Sequence, residues 1–103
     1  MEKTTDNNFE EIINGDKPVL IDFYTEWCPP CKMLSPIIEE IQKEFEGKID
    51  VFKMDIDQNP ISANKFQIDR IPTVVLFNKG EIKSSFIGFR EKEDIKNWLN
   101  SNI

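Results

Sequence analysis

The sequence predicts an α/β architecture, a mixed sheet with helices on both faces. Three observations lead there. Apolar runs of β-type composition alternate with segments of helical periodicity. The order reads β-α-β-α-β-β-α after an opening helix, the pattern of a layered sheet. The last two β runs flank Asn78-Lys79-Gly80-Glu81, which has the chemistry of a tight hairpin turn and makes that pair antiparallel.

Each element has a local reason. Asp6 or Asn7 is positioned to cap a first helix with Phe9, Ile12 and Ile13 on one face, ended near Gly15. Val19 to Tyr24 is a nearly continuous apolar run, as in a strand covered on both sides, interrupted only by Asp22. Leu34, Ile37, Ile38, Ile41 and Phe45 then recur at helical spacing up to Gly47, with Pro36 inside the pattern as an expected kink. Ile49 to Ile56 alternates, with Phe52, Met54 and Ile56 on one face and Val51, Lys53 and Asp55 on the other. Asn59-Pro60 opens a short helix through about Phe66. Thr73 to Phe77 and Ile82 to Ile87 form the hairpin, and Ile95, Trp98 and Leu99 mark a closing helix for which Arg90 and Glu91 offer no good cap.

Composition narrows the function. A chain of 103 residues reads as a single domain over 1–103, long enough to bury a core without metal or disulfide staples. Thirteen basic residues against 19 acidic give a net charge of −6 with no basic block, so no nucleic-acid partner is expected. Residues 1–9, MEKTTDNNF, hold no apolar signal-peptide core, and no run approaches membrane-spanning length; the expected address is cytoplasmic, with no membrane association. In that compartment a close cysteine pair points to catalysis or metal binding rather than to a staple. The chain has no histidine, which excludes Cys/His nucleophile pairs and Cys2His2 zinc sites.

Both cysteines lie in Glu26-Trp27-Cys28-Pro29-Pro30-Cys31-Lys32, at the start of the long helix. There the helix dipole and unpaired N–H groups favour thiolate, which nominates Cys28 as nucleophile. Cys31, one turn later on the same face, is placed to close a disulfide or to attack a mixed one. Zinc is disfavoured because Pro29 and Pro30 remove two backbone donors and no further cysteine or histidine completes four ligands. A residue before proline is pushed toward extended geometry, which applies to Cys28 and to Pro29. Asp22 is the second chemical signal, since a carboxylate in a buried strand is costly unless protonated, paired or functional. Lys53 on the neighbouring strand is its expected companion, in a buried ion pair or in a proton-handling pair.

The run from Asp22 to Lys32, with Arg70-Ile71-Pro72-Thr73, resembles the thioredoxin family, and the similarity continues through Lys53 to Pro60, Gly80 and Gly88 over nearly the whole chain. The resemblance implies a thioredoxin fold: a central mixed five-stranded sheet of order 1-3-2-4-5 flanked by four helices, with a short first strand near Lys3 to Thr5. It implies protein-disulfide reduction with Cys28 attacking, Cys31 resolving and Asp22 taking the proton of Cys31. It implies a cis Ile71-Pro72 peptide beside the cysteines, where composition alone allows an ordinary trans proline at a strand start. Trp27, Pro29, Pro30, Ile71, Pro72 and Gly88 would form the substrate-binding surface, with the N–H and C=O of Ile71 open to an extended substrate strand. The redox disulfide itself would serve in place of a cofactor. The implied donor is thioredoxin reductase, the implied acceptors are ribonucleotide reductase, peroxiredoxin and methionine sulfoxide reductase, and a monomer is the expected state.

The chain departs from the family pattern at Pro29, where glycine is usual, and at Asp69-Arg70 and Phe89, where smaller or differently charged residues are expected. The first bears on redox potential and the others on partner choice. No histidine lies between the cysteines, which argues for a reductant. Two competing readings are an oxidase or isomerase of the same fold and a redox-inert binding module using the Trp27 and Pro72 surface.

Overall fold

The computed structural model describes all residues from Met1 to Ile103. Nine elements follow one another: β1 (Glu2–Lys3), α1 (Phe9–Ile13), β2 (Val19–Tyr24), α2 (Pro29–Glu44), β3 (Asp50–Asp55), α3 (Pro60–Lys65), β4 (Thr73–Asn78), β5 (Glu81–Ile87) and α4 (Lys92–Asn100). The sheet order is β1-β3-β2-β4-β5, with β1 and β2 parallel to β3 and β4 antiparallel to both β2 and β5. The expected order and the four helices are thus present. No helix is long and apolar enough to cross a membrane.

Strand alternation explains why β2 reads as continuously apolar. Leu20 points into a core with Leu34, Ile38 and Ile41 of α2 and Ile95 and Leu99 of α4. Val19, Ile21 and Phe23 point the other way, into a core with Phe9 and Ile13 of α1 and Phe77 of β4. Each face of the sheet buries one such layer, so every residue of β2 is buried. Phe9 anchors the second layer, with ring centroids 6.0 Å from Phe23 and 5.7 Å from both Phe66 and Phe77. Edge-to-face packing of this kind adds to the area these rings bury.

Several local expectations are corrected. The first strand is Glu2–Lys3, extended by a bond from the Thr4 N–H to the Lys53 carbonyl at 2.8 Å, slightly earlier than Lys3 to Thr5. Neither Asp6 nor Asn7 caps α1; Asn8 occupies that position, its Oδ1 accepting the Thr5 N–H and the Thr4 hydroxyl at 2.8 Å each. Asp6 serves α3 instead. Its carboxylate accepts the N–H groups of Ile61 at 3.2 Å and Ser62 at 2.8 Å, while the Asn59 side chain accepts the Asp6 N–H at 2.9 Å. The orphan amides of α3 are therefore capped by a residue more than 50 positions away, because Pro60 and the turn before it leave Asn59 facing back toward Asp6. Helix α2 continues through Pro36. The hairpin turn holds Lys79 at φ 51° and Gly80 at φ 85°, the paired left-handed geometry of a type I′ turn.

Candidate active site

The site is assembled where β2 ends and α2 begins. Cys28 is the residue before α2, extended at φ −104°, ψ 106° as its position before a proline demands. Pro29 is not extended in turn: it and Pro30 fill the first two positions of α2, where amides have no intrahelical acceptor and their loss removes no helical bond. Local helix chemistry overrides the pre-proline preference at Pro29. The first amide donor of the helix is then Cys31, whose N–H points to the Cys28 sulfur at 3.3 Å. Cys28 and Cys31 are joined as a disulfide with Cα atoms 5.3 Å apart, and both are buried, packed with Tyr24 and Ile71. The pair lies closer to the interior than a freely exposed nucleophile would.

Ile71-Pro72 is cis, as the resemblance implied. Pro72 is buried, Ile71 and Gly88 are half-buried, and Pro29 and Pro30 are exposed. Ile71 lies outside every helix and strand and its backbone makes no hydrogen bond within the protein. Gly88 holds φ at 90° while its N–H binds the Pro72 carbonyl at 2.8 Å; a side chain would have room but not the backbone angle, which fits glycine there. The apolar surface on these segments comes mainly from Trp27, at 69% exposure, with Met33, Ile87 and Phe89, rather than from Pro72. Asp69 and Arg70 are exposed beside Ile71 in sequence. Trp27 is fixed by its indole N–H, which donates to Asp57 Oδ2 at 2.8 Å. Sequence reasoning passed over Asp57, and its only local signal is a carboxylate in a turn after β3.

Asp22 is 1% exposed, on the same face of β2 as Leu20, and stands opposite Lys53 in the β2–β3 register. No ion pair joins the two within 4.0 Å; the Lys53 ammonium lies 5.4 Å from the Tyr24 ring centroid, and Asp22 Oδ1 has no hydrogen-bond partner. Of the two readings of this pair, the buried ion pair is therefore not formed. Burial pushes the Asp22 carboxyl up to about 7, partly opposed by the charge of Lys53. A cavity of about 110 Å³ lies here, lined among others by Asp22, Tyr24, Thr25, Cys31, Ser35 and Lys53. Tyr24 and Thr25 are the neighbours that sequence reasoning missed. Burial raises the Tyr24 hydroxyl to about 12, reinforced by Glu26, Asp55 and Asp22. No group of three or more His, Cys, Asp or Glu side chains is arranged to hold a metal ion.

Chemically, a dithiol/disulfide pair sits at a helix start, backed by a buried carboxyl that exchanges its proton near neutrality. The thioredoxin family model matches residues 1–101. The chain is 51% identical over 100 residues to a thioredoxin of Rickettsia bellii (strain RML369-C), covering 96% of this chain and 95% of that one. It is 49% identical over 100 residues to a thioredoxin of Rickettsia felis (strain ATCC VR-1525 / URRWXCal2), at the same coverage of each chain. It is 41% identical over 101 residues to a thioredoxin of Staphylococcus haemolyticus (strain JCSC1435), covering 98% of this chain and 96% of that one. The chain belongs to the thioredoxin family and is a thiol-disulfide oxidoreductase with protein-disulfide reductase activity through Cys28 and Cys31.

Proposed function

We propose that residues 1–103 work as one domain and one monomer in the cytoplasm, carrying electron pairs from a thioredoxin reductase to disulfide-bonded proteins. Membership of the family implies disulfide-containing protein substrates and a reductase partner. Ribonucleotide reductase, peroxiredoxin and methionine sulfoxide reductase are the proposed acceptors, and no bound cofactor is required.

In this reading the Cys28 thiolate attacks a substrate disulfide and releases one substrate thiol. Asp22 takes the proton of Cys31, whose thiolate attacks Cys28 and releases the second. Lys53 sets the charge around Asp22, while Trp27, Pro29, Pro30, Ile71, Pro72 and Gly88 receive the substrate, with the unpaired Ile71 backbone open to an extended strand. The observation that carries the reducing direction is at the helix start. Two prolines leave the Cys31 N–H as the first amide able to reach the Cys28 sulfur, and no histidine is present to add a charge. A thiolate with few stabilising partners gives its electrons away readily, whereas strongly oxidising relatives stabilise their reduced form.

The test is the Cys28/Cys31 reduction potential, measured in thiol buffers by Trp27 fluorescence. A value near about −270 mV supports a reductase, and one near about −180 mV or above makes the protein an oxidase or isomerase. A Cys31→Ser variant should trap substrate proteins covalently on Cys28; a redox-inert binding module would trap none.

A further inference from the structure

Arg90, one of two arginines in the chain, is exposed in the connection between β5 and α4, two residues beyond Gly88. Its guanidinium carbon sits 4.5 Å from the centroid of the Phe86 ring, within the range at which an aromatic face holds a cation. The ring beneath is itself fixed. Phe86 is 3% exposed and meets Trp98 edge-to-face at 5.0 Å, and the Trp98 indole N–H donates to Ser84 Oγ at 2.9 Å. A long side chain on an exposed loop thus has a seat built from β5 and α4. The guanidinium is also unclaimed: no carboxylate lies within 4.0 Å of it, although Glu91 follows it in sequence. A stacked guanidinium keeps its planar fork of donors at the edge, where a carboxylate binds through two parallel hydrogen bonds. Holding the fork in advance lowers the ordering cost of such a contact. Arg70 is the contrast, exposed before Ile71 but over no ring.

The seat lies on the side of the sheet that carries the cysteines. Asp22, Val74 and Phe86 are successive partners across β2, β4 and β5, and Val74 and Phe86 share a core with Leu34 and Ile38 of α2. With strands about 4.8 Å apart, Phe86 stands roughly 10 Å from Asp22. The backbone makes the second link: Gly88 N–H binds the Pro72 carbonyl at 2.8 Å, and Ile71, next to Pro72, packs against the disulfide. We propose that Arg90 is a specificity-determining residue, receiving an Asp or Glu carboxylate of the protein substrate close to the cysteine under attack. The proposal rests on the reductase reading, with its substrate strand along Ile71, and names acidic segments as the class of substrate selected. The chain itself carries a net charge of −6, so it repels such segments at long range. Selection by Arg90 is therefore a matter of local geometry at the bound stage rather than of steering.

The test uses the full reduced chain and synthetic peptides of one sequence, each carrying a single cysteine as a mixed disulfide with an aliphatic thiol. One Glu is moved through the positions on either side of that cysteine, and a Gln peptide is the parent. Single-turnover oxidation of the protein is followed by Trp27 fluorescence against peptide concentration. At low salt at least one Glu position should react about tenfold more efficiently than its Gln parent, the scale of a charge-assisted hydrogen bond. The gain should lie in apparent affinity rather than in limiting rate, and should shrink as added salt screens the pair. Arg90→Met, which keeps an aliphatic chain on Phe86, should bring the Glu-to-Gln ratio to about one, and Arg90→Lys, which keeps the charge without the fork, should retain part of it. A ratio near one at every position in the wild type would overturn the proposal and leave the reductase reading standing. So would a high ratio that survives Arg90→Met; if both peptides then slow alike, Arg90 has a structural role only. A chain that reduces neither peptide would overturn the reductase reading and the proposal with it.

Discussion

Asp22 and Lys53 face each other across the parallel β2–β3 pairing, yet they form no ion pair. The ammonium remains close enough to lower the carboxyl against the opposing effect of burial, and far enough to leave one carboxylate oxygen unpartnered. Pairing would hold Asp22 ionised throughout the neutral range; separation lets it exchange its proton there.

Asp22 should cost stability in a pH-dependent way. Its pKa rises from 3.8 to about 7 on folding, so between those values the folded protein holds a proton that the unfolded chain has released. The penalty is absent below about pH 4, grows with pH and is complete above about pH 7. Asp22→Asn should therefore raise stability by on the order of 2–4 kcal/mol at pH 8 and leave it nearly unchanged at pH 4. Thermal unfolding at the two pH values checks this; an equal change at both would contradict it.

Lys53→Met removes the charge that lowers the Asp22 carboxyl. Asp22 should then titrate above about 7, and the pH at which the Cys31 step reaches full rate should move upward with it. Following the Asp22 carboxyl carbon by NMR in the oxidised protein reads the first shift directly. A downward or absent shift would mean that Lys53 acts through packing alone.

The Trp27–Asp57 bond is exposed and joins two surface residues, so its loss should be felt in mobility rather than in stability. Asp57→Ala should destabilise the fold by about 1 kcal/mol or less and lower the fluorescence anisotropy of the Trp27 indole. The second tryptophan is held elsewhere, by Ser84 at 2.9 Å, and a Trp98→Phe background isolates the signal.

Asp6→Ala should cost about 1 kcal/mol, the usual worth of a helix cap, although Asp6 lies outside the helix it caps. The bonds from Ser62 and Ile61 outweigh desolvation and hold the Asp6 carboxyl below its ordinary 3.8. A depressed folded-state pKa gives stability that is present above the unfolded value and lost as pH falls through the folded one. The difference between wild type and variant should thus shrink under acid, with protection of the α3 amides from hydrogen exchange as the local readout.

The parts of the site visible in the sequence are those with a local signature. Cys28 and Cys31 announce themselves by spacing and by the helix that follows, and Asp22 by being a charge within an apolar strand. Tyr24, Thr25 and Asp57 have no such signature: a tyrosine at a strand end, a threonine in a loop and an aspartate in a turn are ordinary until their neighbours are known. Lys53 is the register partner of Asp22 and the charge that acts on it, as its strand position implied, while its ammonium lies near the Tyr24 ring.

By itself the sequence determined the succession of helices and strands, the two-sided burial of β2, the turn at Gly80 and the chemistry of the cysteine pair. These follow from periodicity, proline and glycine geometry and residue spacing, which act over a few residues. Tertiary structure alone decided that Asp6 caps α3, that β1 is two residues at the sheet edge, that Asp22 stays unpaired and that three polar atoms converge on one cavity. Those outcomes depend on contacts between segments distant in sequence, where packing chooses which side chains meet and local preference has no vote.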